Sequence, residues 1–252
     1  MNARAGLANL EQTPCAACPL RAMAAFRDFT PDELVFITKL KRGELRADKG
    51  ATILQEGANS AHIYTVLSGW AFRYKLLPDG RRQILNYLLP GDLIGLQSIL
   101  IGEMAHSVET LTPMVLCMFE RADVHKLYRN EPELAYDITW IASREEQILD
   151  ENLLSVGRRS AIERSAYLIA FLASRARMTG MGTSRKTILP IRQHHMADTL
   201  GLSLVHTNRT LRRLAGLGLI VWDDRGCEVL DIDGLAGMAH WEGLSKRARP
   251  FI

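Results

Sequence analysis

The sequence has no long apolar run: stretches such as Ile84–Pro90 and Met114–Phe119 fall far short of the roughly 20 residues a membrane-spanning helix needs. No transmembrane segment and no membrane partner are expected. The first 25 residues combine Arg4 and Arg21 with Glu11 and lack a continuous apolar core, so they do not follow the signal-peptide pattern, and a cytoplasmic location is expected. Cysteine is scarce as well. Four in 252 residues, two of them as close as Cys15 and Cys18, do not make a disulfide scaffold, so free thiols are expected.

What remains is a balanced globular composition, 47% hydrophobic and 23% charged, sufficient for one large core or two ordinary ones. The net charge of +3 conceals an asymmetry about Gly157. Residues 1–157 hold 16 basic and 20 acidic side chains, whereas residues 158–252 hold 15 basic and 8 acidic ones. Such a basic C-terminal part suits a polyanion partner, although charge alone is equally met by a solvated basic face.

Thr30-Pro31-Asp32-Glu33 carries a capping residue, a proline at the first helical position and a glutamate three residues after the cap, which starts a short helix. From Gly43 to Phe119 short β-branched and apolar runs recur about every ten residues. They are separated by turn chemistry at 57–60, 68–69, 78–80 and 90–92, the pattern of a β-sandwich or jelly-roll barrel. From Pro132 to Gly157 the period becomes helical. Leu134, Ile138, Ile141, Glu145, Ile148, Asn152 and Ser155 lie near one seam, with Trp140, Leu149 and Leu153 beside it. A helix of ~25 residues would reach ~37 Å, more than a small barrel needs, so dimerisation through it is expected, the alternative being a helix packed on its own barrel. A second amphipathic helix covers Ile162–Arg177, and a short strand covers Ile188–Ile191.

Residues Gln193–Leu214 then read as a helix-turn-helix. Ala197 is small where two helices must touch, and four residues on Gly201 supplies the positive φ of the turn, with Leu200 and Leu202 flanking it as core. Ser203 caps the second helix, whose inner side is expected to be Leu204, Thr207, Leu211 and Leu214. The outward face suits a major groove. Arg209 has two donors for guanine O6 and N7, Asn208 matches adenine, and Val205 fits a thymine methyl, while Ser203, His206, Arg212 and Arg213 are placed for phosphates. The hairpin Leu219–Trp222 and Cys227–Leu230 makes the module winged. Asp223 and Asp224 at its tip repel phosphate, so the tip is expected to stay off the DNA backbone or to use only Arg225.

A turn-rich barrel, a long helix and a winged helix-turn-helix together resemble the CRP/FNR family of bacterial transcription regulators over residues 15–232. The telling segments are Val66-Leu67-Ser68-Gly69, Pro90-Gly91-Asp92-Leu93-Ile94-Gly95 and the helix-turn-helix. The resemblance implies an α+β fold with a cyclic-nucleotide-binding-like β jelly-roll barrel. It divides the chain into an N-terminal arm (1–29), an effector-sensing barrel (30–130), a dimerisation helix (131–157) and a winged helix-turn-helix domain (158–252). It further implies a homodimer that reads a palindromic site in double-stranded DNA, with half-sites one helical turn apart, and that activates transcription through RNA polymerase.

Departures from the family narrow the signal. Cyclic-AMP-binding members follow the Gly-Asp-x-x-Gly turn, which here ends at Gly95, with a Glu for the ribose, and about ten residues later place an Arg-Ser pair for the phosphate. Those positions are Leu96, His106 and Ser107, so cyclic AMP is not an expected ligand. Oxygen-sensing members hold an iron-sulfur cluster on four cysteines. Cys15, Cys18 and Cys117 match three of them, but the remaining site is Ala24, so another ligand such as a carboxylate, of which Asp28 is a candidate, would have to complete a cluster. No cofactor is expected, with Cys15 and Cys18 remnants in a flexible arm and Cys117 a small core residue. A redox- or oxygen-responsive regulator carrying a cluster, or haem on His62, His106 or His125, is the alternative. The family's cytosine-reading Glu is replaced by Val205, whereas its guanine-reading arginine is kept as Arg209.

Two rivals have no DNA role. A cupin-like enzyme needs a His-x-His metal set, and the barrel region has only the distant His62 and His106, with no recognisable nucleophile and base. An enzyme is therefore not expected. A ligand-binding or scaffolding barrel leaves the basic winged module unexplained.

Overall fold

The Thr30 cap forms as its chemistry dictates: Thr30 Oγ1 accepts from Glu33 N–H at 3.3 Å, Glu33 Oε2 accepts from Thr30 N–H at 2.8 Å, and helix α1 runs Pro31–Leu40. The computed structural model describes residues 12–245 and 247–252, so residues 1–11 of the expected arm, Arg4 and Glu11 included, lie outside the described residues.

Eight strands follow: β1 (Lys41–Ala47), β2 (Thr52–Leu54), β3 (His62–Ser68), β4 (Ala71–Leu76), β5 (Arg82–Leu88), β6 (Leu93–Ile94), β7 (Ser107–Thr110) and β8 (Met114–Glu120). They do not close into the expected jelly-roll barrel. They form two open antiparallel sheets, ordered β1-β8-β3-β6 and β2-β7-β4-β5, so each sheet keeps two edges. Tyr64, Val66 and Leu116 of one sheet meet Leu54, Ala71, Leu88 and Val108 of the other in a shared core. The inward-facing alternation is the same for a sandwich and a barrel, which is why turn spacing does not separate them. Short β2 and β6, three and two residues long, leave the ring of hydrogen bonds incomplete.

Between β6 and β7 lies helix α2 (Leu96–Ile101). Beyond β8 come α3 (Val124–Asn130) and α4 (Pro132–Arg158), whose 27 residues exceed the expected length slightly. The seam read from sequence packs on its own chain: Leu134, Ile138, Ile141, Ile148 and Ser155 are buried. Its polar interruptions have partners in the sheet. Glu145 pairs with Arg73 at 2.7 Å and accepts from Asn86 Nδ2 at 3.2 Å, and Asn152 donates to the Leu85 carbonyl at 2.8 Å. A second seam, Ala142, Leu149, Leu153 and Val156, is exposed on the adjacent face.

A Ser160/Glu163 capping box opens α5 (Ala161–Met178). Then follow β9 (Thr187–Leu189), α6 (Gln193–Leu200), α7 (Leu204–Gly216), β10 (Ile220–Asp223), β11 (Gly226–Val229) and α8 (Ile232–Met238), with the three strands in one sheet ordered β10-β11-β9.

This C-terminal module is docked on the second sheet. Arg82 of β5 pairs with Asp198 at 2.8 Å, Gln83 Nε2 donates to the Thr199 carbonyl at 2.9 Å, and the Tyr87 hydroxyl meets Thr199 Oγ1 at 2.9 Å. Buried Asp92, in the turn before β6, binds Arg175 of α5 and, at 2.8 Å, Arg249. Burial opposes ionisation of Asp92, but the two guanidiniums outweigh it and hold the carboxyl below its ordinary range. The final residues return to the start of the chain. Arg249 exchanges backbone hydrogen bonds with Ala25 and Arg27, both at 2.9 Å, and Phe251 and Ile252 enter the core beside Phe26, Phe29 and Leu67.

Candidate nucleic-acid interface

Gly201 takes a left-handed φ of 62° and its N–H returns to the Ala197 carbonyl, which ends α6 at the turn where positive φ was expected. Ser203 then caps α7, its Oγ accepting from His206 N–H at 3.2 Å. Thr207, Thr210, Leu211 and Leu214 form the buried side. Leu204, expected among them, is 52% exposed. It is the first residue of α7, and the inner side farther along the helix includes Thr210, whose hydroxyl donates to the His206 carbonyl at 2.9 Å.

The outer side carries Val205, 82% exposed, with exposed Arg209 and Arg212 above it at helical spacing and Arg213 beside them. Among the described residues these three arginines form no ion pair. His206 is half-buried, and with Arg209 and Arg213 it lines a shallow groove closed on the far side by Ser160–Ile162. Asn208 is also half-buried, and its Nδ2 donates to Gln193 Oε1 at 3.0 Å. The amide expected to meet adenine is therefore positioned by α6. Nothing local in the sequence points to Gln193, which lies 15 residues away on the other helix. At the wing tip Arg225 pairs with Asp223 at 2.6 Å, so the tip presents no unmatched cation.

The residues expected around an effector have internal roles. Gly95 has φ 93°, and a Cβ there would come within 3.3 Å of Ile63 Cγ2. Leu96 packs into the helical core with α1 and the N-terminal turns. The Ser107 hydroxyl accepts from Glu56 N–H at 3.0 Å. His106 is buried, and that burial, reinforced by Arg73 and Lys75, pushes its imidazole down to about 4, so it is neutral at neutral pH.

Cys15 and Cys18 do not belong to a flexible arm: Cys15 is buried in a short 3-10 turn, and both pack on the core with Cys117, lining a cavity of about 20 Å³ whose other walls include Phe251 and Ile252. These residues do not fit a cluster. The space holds about one water, far less than an iron-sulfur cluster needs, and burial raises the Cys18 thiol and pushes Cys117 up to about 12, away from the thiolate a metal requires. Asp28, the conceivable fourth ligand, is held by Arg21. Among the described residues no group of three or more His, Cys, Asp or Glu is arranged for a metal ion, and no helix is long and apolar enough to cross a membrane.

Residues 44–131 match the cyclic nucleotide-binding domain model and residues 163–238 the Crp-like helix-turn-helix domain model. The nitrogen fixation regulation protein FixK of Bradyrhizobium diazoefficiens is 32% identical over 218 residues, covering 86% of this chain and 90% of the relative. The chain belongs to the CRP/FNR family. The transcriptional activatory protein AadR of Rhodopseudomonas palustris is 30% identical to this CRP/FNR chain over 215 residues, 85% of it and 88% of the relative. The solved structure of FixK2 from Bradyrhizobium japonicum superposes with a TM-score of 0.69 at 25% identity, over 80% of this chain and 98% of that one. As a member of the CRP/FNR family, the protein is a transcription regulator that binds DNA through its helix-turn-helix, and not an enzyme.

Proposed function

We propose that the protein is a homodimeric transcriptional activator whose α7 helices enter successive major grooves of a palindromic promoter site. The observation that carries this reading is the outer face of α7: three exposed arginines with no carboxylate partner among the described residues, around an exposed Val205, on a helix fixed by the Gly201 turn and the Ser203 cap. Arg209 reads a guanine through its two parallel donors, and Val205 contacts a thymine methyl beside it. Asn208, steadied by Gln193, faces an adenine. Ser203, His206, Arg212 and Arg213 hold phosphates, aided by the positive end of the α7 dipole.

The exposed seam Ala142, Leu149, Leu153 and Val156 supports dimerisation through α4, because an apolar stripe at heptad spacing is left uncovered within one protomer. Residues 30–130 then form the regulatory domain, 131–157 the dimerisation helix and 158–252 the DNA-binding domain. RNA polymerase is the second partner, a reading that rests on relatives named as transcriptional activators. Cyclic AMP is not the signal in this reading, because Leu96 and His106 provide neither a ribose acceptor nor a permanent cation.

Fluorescence anisotropy with a labelled palindromic duplex, titrated at several salt concentrations, tests the proposal. Affinity should fall steeply with salt, and Arg212→Gln should lower the slope of log K against log salt by about one while weakening all sequences alike. A salt-independent affinity, or none in dilute buffer, contradicts it.

A further inference from the structure

On the face of α4 roughly opposite the exposed seam, at 100° per residue, Trp140 and Arg144 border a crevice of about 310 Å³ closed by α5 and the returning tail. Four arginines line it, Arg144, Arg175, Arg247 and Arg249, and among the described residues no acidic one does. Asp92 lies behind the wall, and its single charge is shared by Arg175 and Arg249. Among the described residues Arg144 donates only to a neutral acceptor, Gln147 Oε1, and its guanidinium is disfavoured first by burial and then by the facing Arg175 and Arg249. Arg249 Nε is buried with no hydrogen-bond partner among the described residues. Unmatched donors and concentrated positive charge in a concave site are costly unless an anion completes them.

We infer that this crevice is a binding site for a phosphorylated small molecule, its phosphate held by Arg144, Arg247 and Arg249 and its organic part lying on Trp140 and Met178. A phosphate monoester offers three acceptor oxygens and up to two charges, which matches several guanidinium forks better than one carboxylate does. The volume falls in the range of small-molecule sites. The crevice faces away from the exposed α4 seam, so pairing of two protomers through that seam leaves it open. A molecule seated there touches α4, α5 and the tail together, and thus both the long helix and the DNA-binding module.

The test is isothermal titration calorimetry on the full chain without DNA, using AMP, ribose 5-phosphate, adenosine and inorganic phosphate as probes. AMP or ribose 5-phosphate should bind once per chain and more tightly than inorganic phosphate. Adenosine should not bind, and Arg144→Gln and Arg247→Gln should each weaken the phosphate ester at least tenfold. Tighter binding of AMP than of ribose 5-phosphate places a base on Trp140, and equal binding restricts recognition to the sugar phosphate; both support the site. If neither ester binds more tightly than inorganic phosphate, or if both variants bind as the wild type does, the inference is wrong. Arg247 is exposed, so its substitution leaves folding intact, and matched circular dichroism spectra verify this for both variants.

Discussion

Asp92 carries two arginines from the far part of the chain, one 83 and one 157 residues away. Asp92→Asn leaves both guanidiniums without their counter-charge, and the expected loss is about 3–5 kcal/mol of stability, read as a lower midpoint in urea unfolding. The turn Pro90-Gly91-Asp92 is plain in the sequence, but the role of its aspartate is not, since nothing local names a partner so distant. The recognition helix differs. Val205, Arg209, Arg212 and Arg213 are legible because helical spacing and one cap place them outward together. Leu204 misleads because apolar character suggests burial, whereas its place in the first turn leaves it half exposed. Gln193 is invisible until α6 and α7 are packed.

At the scale of elements, α4 presents two apolar seams side by side. Ile148 faces its own chain, so Ile148→Ala should cost about 2–5 kcal/mol in urea unfolding of the protomer. Leu153 is 73% exposed, so Leu153→Glu should leave protomer unfolding nearly unchanged while shifting sedimentation equilibrium from dimer to monomer. A dimer that persists in Leu153→Glu contradicts the proposed interface. The helix is legible from its period, but which seam stays within the chain is not, because Glu145 and Asn152 read as interruptions until Arg73, Asn86 and the Leu85 carbonyl are brought beside them. β1 is not evident among the apolar runs. Its sequence Lys-Arg-Gly-Glu-Leu-Arg-Ala is that of a charged edge strand, with Lys41 and Glu44 neutralising each other at 2.8 Å.

Across the whole molecule, the helix-turn-helix is locked to the sheets through α6 and β5, and two buried histidines accompany that arrangement. His195 lies against Phe72, its ring centroid 5.4 Å away, and burial, then His194 and Arg82, push it down to about 3. With His106 at about 4, both stay neutral in the native state below the pH where an unfolded histidine takes up its proton. The unfolded chain therefore binds more protons between about pH 6.5 and 5, and stability falls as pH drops through that window, by up to about 2 kcal/mol per histidine at pH 5. Urea unfolding at pH 7, 6 and 5 measures this, and His106→Gln with His195→Gln should flatten the slope. The modular order of the chain is legible in its periodicities, whereas the open edges of the sheets and the return of Phe251 and Ile252 to the N-terminal core depend on long-range packing alone.

Reading of DNA by the α7 face is tested most directly by a base-substitution scan of one half-site, measured by anisotropy for the wild type and Arg209→Ala. The wild type should discriminate against replacement of one guanine by about 1–3 kcal/mol, and Arg209→Ala should abolish that preference while keeping the others. An equal loss of affinity for every sequence, with the guanine preference intact, contradicts the role assigned to this helix.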